Sequence, residues 1–540
     1  MREQFTGYLD WLTDHPVLTA ALLASLAAGG AAVLTLFTGI PAPGGADEYS
    51  YLLAADTFAS GRIANPPHPF WQHFETFHVL QQPTYVSKYP PAQGLVLGLG
   101  QALGGHPVVG VWLSVGLMVA SMYWMFNVWL PARWALAGGM LVVLQLGVSS
   151  YWAQSYWGGA VAATGGALVF GATRRLSERP SAGIAVVLGV GLAILANSRP
   201  FEGLVVSLFA AAALGWHFIR NDGSYRRRFL SRVAAPAGAI LLLTGLAMGY
   251  YNLRTTGDPL YMPYQAYASS YSMGSFIPWR EPSLNDGLRH EIMREYAIEW
   301  GQQRLSVLRD PGSFVLLGLT RTAHRMWFFL GVFSIVGIVG LRRSLSSGWF
   351  AFGALVVSTV WGLSLFTTAY PHYVAPGVAL VVVIAVESCR CLVGSRRIIG
   401  PGRLLVHVAV VLELAFFATG LFRPQYLTTR ASPVKQAFVD SRSNIVDRLN
   451  ASPGPDLVIV KYGPGHSFHR EWVYNRADVD SAEIVWARDM GESNNQDLIA
   501  HFAGWSIWRL GARGRSDASD ANQGEQIILR PDSEVPHDKR

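Results

Sequence analysis

Apolar runs long enough to cross a bilayer, or nearly so, recur along the chain to about residue 422. Each is followed by a polar connection. A membrane-spanning helix needs about 20 apolar residues. By that measure the runs are 17–40, 106–130, 134–153, 158–173, 181–197, 202–219, 233–250, 326–341, 348–368, 373–392 and 404–422. Three long segments, 41–105, 251–325 and 423–540, interrupt or follow them and mix aromatic with polar residues. In the last of these, strand-like runs at 456–460, 483–487 and 505–509 surround a helical stretch at 494–503. The pattern predicts a mainly α, polytopic helical membrane protein of about 11 transmembrane helices with a small C-terminal α/β domain. Domain boundaries are expected at 1–422, 423–513 and 514–540, the last a disordered tail. No internal repeat of fixed period is visible.

Composition agrees. The 540 residues are 51% hydrophobic and only 14% charged, against about 25% charged in soluble domains. The net charge of +7 raises a nucleic-acid reading, but the arginines lie between apolar runs and form no phosphate-tracking face. They set topology instead. With the N-terminus cytoplasmic, the inside connections carry Arg133; Arg174, Arg175 and Arg179; Arg220, Arg226, Arg227, Arg228 and Arg232; Arg342 and Arg343; and Arg390, Arg396, Arg397 and Arg403. The short outside connections near 155 and 369 carry no Lys or Arg, and the one near 200 carries only Arg199. This alternation is the positive-inside pattern. It puts all three long segments, and the C-terminal domain, on the extracytoplasmic side of the cell membrane. Residues 1–16 contain Glu3, Asp10 and Asp14 and are too polar for a signal-peptide n-region, so the first run is expected to be retained. Cys389 and Cys391 form no disulfide framework, and a lone C-x-C is a weak metal signal.

Candidate chemistry begins just after the first run. Asp47 and Glu48 stand together before an amphipathic stretch to residue 60. Adjacent carboxylates at a membrane surface are costly unless solvated or used; capping of the helix that follows is the structural alternative. Further on, Lys88-Tyr89-Pro90-Pro91 opens an apolar stretch, 95–103, too short to span and suited to lie along the interface.

These features together resemble the glycosyltransferase-C superfamily, whose members include protein O-mannosyltransferases and the lipid A aminoarabinose transferase. The matching residues are Asp47-Glu48 after the first span and Lys88-Tyr89-Pro90-Pro91, where relatives often have Lys-Pro-Pro; Tyr89 is an insertion. The topology extends the resemblance over roughly residues 10–422. It implies a polyprenyl-phosphate-linked sugar donor, an acceptor that is a glycan, lipid or protein, and Asp47 as general base, with Glu48 orienting it, the acceptor or a divalent metal ion. The chemistry stands by itself too. Displacing a phosphate from an anomeric carbon needs a base for the attacking group and cations for the leaving group, but no strong acid.

Phosphate partners are expected at the outer ends of spans. Arg199 lies in a short outside turn, with Glu202 three residues on as an alternative salt-bridge partner. Lys88 is a second candidate, with interfacial snorkelling as its alternative. His372 and Tyr373 form a third, set against an aromatic-belt role. Arg254 opens the middle segment, followed by Tyr261, Tyr264, Tyr267 and Tyr271 at helix-like spacing, suited to sugar stacking or to the interface. His68, His73 and His78 recur every five residues, a step that turns about 140° on a helix and so does not converge on a metal there. Gly463-Pro464-Gly465-His466 is glycine-rich but lacks the Lys-Ser/Thr ending of a nucleotide loop. Rival readings are a transporter or flippase of a lipid-linked sugar and a non-catalytic envelope scaffold. Charge is sparse inside the spans, with Glu413 the main exception.

Overall fold

The computed structural model describes residues 2–148, 150–271, 288–365, 370–394, 399–422, 433–514 and 526–534. The chain is mainly helical and closes with a four-stranded sheet. It divides into two compact units, each built from three separate pieces. The helical unit comprises Met1–Pro41, Val108–Met248 and Pro311–Thr428; the mixed unit comprises Ala42–Pro107, Gly249–Asp310 and Thr429–Arg540. The division expected at residue 422 is therefore not that of the fold. The three long polar segments assemble with one another rather than staying as loops of the helical part.

In the helical unit every apolar run is helical over most of its length. Six helices among the described residues are long and apolar enough to cross a membrane: Pro16–Thr38, Val108–Trp129, Pro200–Arg220, Gly223–Thr256, Pro371–Val393 and Gly400–Gly420. A seventh is reached if the bent pair Pro311–Leu330 and Phe333–Ser344 counts as one span. Ala132–Val148, Ala182–Ala196 and Gly348–Ser364 are apolar but shorter, so length and apolarity alone do not yield eleven spans. The outer helices expose apolar faces; Leu242 and Leu246 are 65% and 63% exposed. Such faces suit hydrocarbon, not water. The chain is a multi-pass membrane protein.

The run at 326–341 is not one straight span. Its two helices meet at 102° around Gly331, whose φ of +53° favours glycine. The Val332 amide freed by the break donates to Glu413 Oε2 at 2.9 Å, and Gln145 donates to the same carboxylate. A buried backbone N–H needs such a partner. Elsewhere in the unit, helix Gly159–Glu178 packs directly on the turn Pro371–Gly377. A Cβ at Gly166 would lie 1.9 Å from the Pro376 carbonyl oxygen, so only glycine fits there.

In the mixed unit, helices Ala46–Ala59 and Pro91–Gly104 pack together and flank a small hairpin, Val79–Leu80 with Val86–Ser87. The tail forms a sheet in the order Ile484–Arg488, Asp456–Tyr462, Ser506–Arg513, Gln526–Pro531. The first three strands are parallel and the last antiparallel. Helix Glu492–His501 makes the crossover, close to the strands and helix read from the sequence. Strand Gln526–Pro531 corrects the expectation of a disordered end: its alternate apolar residues Ile527 and Leu529 join the core with Leu510 and Ala512. The rest of 514–540 lies outside the described residues, apart from Gly514 and Asp532–Glu534, as do the connection near 369 and Arg396 and Arg397.

Side chains alternate across a strand, and that explains how the tail joins the first polar segment. Leu457 and Ile459 face one side and cluster with Leu53, Phe74, Val79 and Tyr85 of the first polar segment. Val458 and Val460 face the other, against Trp472, Trp486 and Phe438. One face of the tail's sheet is thus covered by residues some four hundred positions earlier.

Candidate active site

Asp47 sits in the first turn of helix Ala46–Ala59, only 9% exposed. It does not cap that helix: Gly45 occupies the N-cap, without a side-chain bond. Glu48 turns back instead, its Oε2 accepting from the Gly44 amide at 2.9 Å. Asp47 Oδ1 meets His78 Nδ1 at 2.5 Å and accepts from the Tyr89 hydroxyl. Tyr89, expected near the donor, therefore touches both Asp47 and His78, the latter at 3.2 Å. Burial pushes the Asp47 pKa up, but the adjoining His78, the Lys88 charge and the Tyr89 bond hold it well below the usual carboxylate range.

Lys88 is 8% exposed, so it does not snorkel. Its Nζ lies over three rings, Tyr267 at 4.6 Å, Tyr89 at 5.1 Å and Tyr264 at 5.5 Å. These are cation–π distances. Burial pushes its pKa down to about 7, with Asp47 opposing. Two of the four tyrosines of the middle segment thus face the lysine. Of the others, Tyr271 donates to Glu75 at 3.0 Å and Tyr261 pairs with Ser269 at 2.7 Å.

His78 is the residue that spacing missed. It belongs to no helix, and its backbone has φ +65°, uncommon for a residue other than glycine. Its carbonyl accepts from Ser50 Oγ at 2.6 Å and from the Lys88 amide at 3.1 Å. No pattern in the sequence signals that conformation. The tail closes over the same region: Tyr474 stacks on Tyr49 at 4.1 Å, Arg442 lies 5.1 Å from that ring, and Phe468 packs on Tyr296, whose hydroxyl is 3.3 Å from His78 Nε2. Arg254, by contrast, is exposed near the end of helix Ala235–Thr256 and joins none of these bonds.

The helical unit gathers a different group. Arg199 precedes helix Pro200–Arg220, with Glu202 buried in its first turn. The guanidinium lies 4.3 Å over the Tyr373 ring. His372, fully buried, shares a 2.8 Å bond between its Nδ1 and the Tyr151 hydroxyl, and Trp157 and Tyr373 pack on its ring at 4.3 and 4.8 Å. A residue enclosed like this is no member of an exposed aromatic belt.

Metal donors converge at one place among the described residues, His68, Asp480 and His501. The Nε2 atoms of His68 and His501 lie 3.0 and 2.9 Å from Asp480 Oδ1. His68 Nδ1, however, accepts from the Phe70 amide at 3.0 Å. The ring proton then sits on Nε2 and donates to Asp480, the reverse of the tautomer a metal at Nε2 requires. The trio reads as a hydrogen-bonded clasp between the first segment and the tail.

Fold and site together describe a polytopic membrane protein with a buried, ionised aspartate beside a caged lysine. No family model and no curated protein matches the sequence. Among solved structures, the chain is similar to the archaeal oligosaccharyltransferase AglB from Archaeoglobus fulgidus in complex with an inhibitory peptide and a dolichol-phosphate. The identity is 12% and the TM-score 0.46, over 93% of this chain and 69% of that one. It is likewise similar to ArnT from Cupriavidus metallidurans, at 13% identity and TM-score 0.46 in the apo state and 0.43 bound to undecaprenyl phosphate; each alignment covers 94% of this chain and 93% of that one. AglB and ArnT are glycosyltransferases of the GT-C fold. With TM-scores below 0.5, the functional reading rests on the site's own chemistry.

Proposed function

We propose that this chain is a membrane glycosyltransferase that moves a hexosyl or pentosyl group from a polyprenyl-phosphate-linked donor to a glycan, lipid or protein acceptor on the extracytoplasmic side. The N-terminus is then cytoplasmic and the sheet domain extracytoplasmic, in keeping with the arginine distribution. The observation that carries the reading is Asp47, a carboxylate kept anionic in a buried setting by His78 and Lys88. A buried anion so arranged is costly to maintain, and a carboxylate held this way marks a site for acid–base work on an attacking group. Lys88 supplies the cation that a departing phosphate needs. Arg199, with Tyr373 and His372, offers the helical unit's cation to a lipid phosphate. Glu413, the carboxylate that favoured a transporter, is engaged by Val332 and Gln145 at a helix break.

The test reads the leaving group, which is common to every sugar. Purified full-length protein is given a panel of polyprenyl-phosphate sugars with an envelope fraction as acceptor, and release of polyprenyl phosphate is followed. Release is expected with at least one donor, falling about 10²–10⁴-fold in Asp47→Asn. Full release by that variant would remove the catalytic assignment.

A further inference from the structure

We propose that His78, through Nε2, is the atom that receives the proton of the attacking group, while Asp47 holds the ring for that task. The inference rests on the transfer reaction proposed above and divides the labour within its acid–base pair. A carboxylate oxygen only accepts, so the 2.5 Å contact with Asp47 Oδ1 puts the ring proton on His78 Nδ1. The lone pair is then on Nε2. That atom faces the Tyr296 hydroxyl at 3.3 Å, a long and readily exchanged contact standing where an acceptor hydroxyl or amine could take its place. Asp47 Oδ1 is already met by both His78 and the Tyr89 hydroxyl. An anion held this strongly is a poor proton acceptor, because a base works best with a pKa near the working pH. A carboxylate that fixes the tautomer and steadies the imidazolium is instead the orienting half of an acid–base dyad.

The backbone supports the assignment independently. A residue other than glycine at φ +65° is uncommon, even though histidine tolerates it better than most, and such positions cluster at functional sites. Here two hydrogen bonds to the His78 carbonyl hold the turn while three tyrosine rings, Tyr89, Tyr267 and Tyr296, meet the imidazole edge-on. In the step itself, the acceptor's lone pair forms the bond to the anomeric carbon. The bond from that carbon to the phosphate oxygen breaks, and its electron pair stays on the phosphate. The acceptor proton moves to Nε2, and the imidazolium remains paired with Asp47 until solvent takes the proton. The charged and titratable groups facing His78 are Asp47, Lys88, Tyr89, Tyr267 and Tyr296. Transfer should therefore fall at acid pH as His78 gains a proton and at alkaline pH as Lys88 loses one.

Polyprenyl phosphate release by the full-length protein, measured against pH, tests this. His78→Gln is expected to lose about 10²–10⁴-fold in kcat, with KM nearly unchanged and no acid limb left in the profile. If release is abolished in Asp47→Asn but His78→Gln keeps the wild-type kcat and acid limb, the proposal falls and the transferase reading stands. If wild type releases nothing from any donor, both fall. Should the glutamine variant fail to fold, ¹⁵N NMR of the wild-type imidazoles decides. A proton on Nδ1 of His78 that is lost in Asp47→Asn supports the dyad, and a proton on Nε2 overturns it.

Discussion

The Asp47 group of the mixed unit and the Arg199 group of the helical unit both bury a charge, but they accommodate it by different means. Asp47 is met by point charges and hydrogen bonds from His78, Tyr89 and Lys88 of the first segment, while Tyr267 of the middle segment faces Lys88. Arg199 rests on the π-face of Tyr373, beside a run of aromatic residues close in sequence. The first arrangement fixes protonation states, since each partner changes its neighbour's affinity for a proton. The second gives a cation a soft, orientable seat without fixing any proton. On this contrast, the proposed acid–base chemistry falls to the mixed unit and the proposed phosphate contact to the helical unit.

Four changes probe the contrast, in descending order of effect. Asp47→Ala leaves His78 and Lys88 without their anion, and breaking a buried pair costs about 3–5 kcal/mol. Chemical unfolding of the mixed unit should report that loss, and a stability within 1 kcal/mol of wild type, a loss of under about 1 kcal/mol, would show the charges to be solvated. Gly166→Ala strikes the other unit, where the new Cβ must displace the Pro376 carbonyl from 1.9 Å. An overpacking cost of about 1–3 kcal/mol should accompany an altered environment at His372, seen as a shift in its ring NMR signals.

Third comes pH. With Lys88 at about 7 instead of 10.5, affinity for polyprenyl phosphate should fall ~tenfold per pH unit above that value. Lys88→Arg should flatten the curve. The sign for stability is opposite. Between about 7 and 10.5 the unfolded state binds more protons, so the ligand-free protein should gain stability as pH rises. Smallest is Tyr373→Leu, which removes the seat beneath Arg199 for about 0.5–2 kcal/mol. It should weaken lipid-phosphate binding and leave the pH profile of release intact. A changed profile would merge the two groups functionally.

What was legible in the sequence follows the range of the interactions involved. Apolar runs became helices because spanning length is a local property, and the tail's strands followed from local alternation. Asp47, Lys88 and Tyr89 stood out because each belongs to a local motif, the Asp47-Glu48 pair or the Lys88-Tyr89-Pro90-Pro91 run. His78 did not. Its value lies in a left-handed backbone and in a carboxylate thirty-one residues earlier, neither of which a spacing rule registers. The bend at Gly331 was hidden likewise, since Glu413 is eighty-one residues from the amide it satisfies. Strand Gln526–Pro531 is short and polar-flanked, so its sequence reads as disorder, and only its partner Ser506–Arg513 gives it an apolar neighbour.

The long reach between first segment and tail also sets a timetable. Asp56 binds Arg476 and the Ala477 amide, partners more than four hundred residues downstream. At ribosomal rates of about 5–20 residues per second, the carboxylate waits roughly 20–80 s for them. Through that interval the segment bearing Asp47 is synthesised but lacks its sheet. Tyr49 has no Tyr474 to stack on. A nascent chain therefore holds Asp47 in unfinished surroundings, and the last strands made are what complete the first segment's packing.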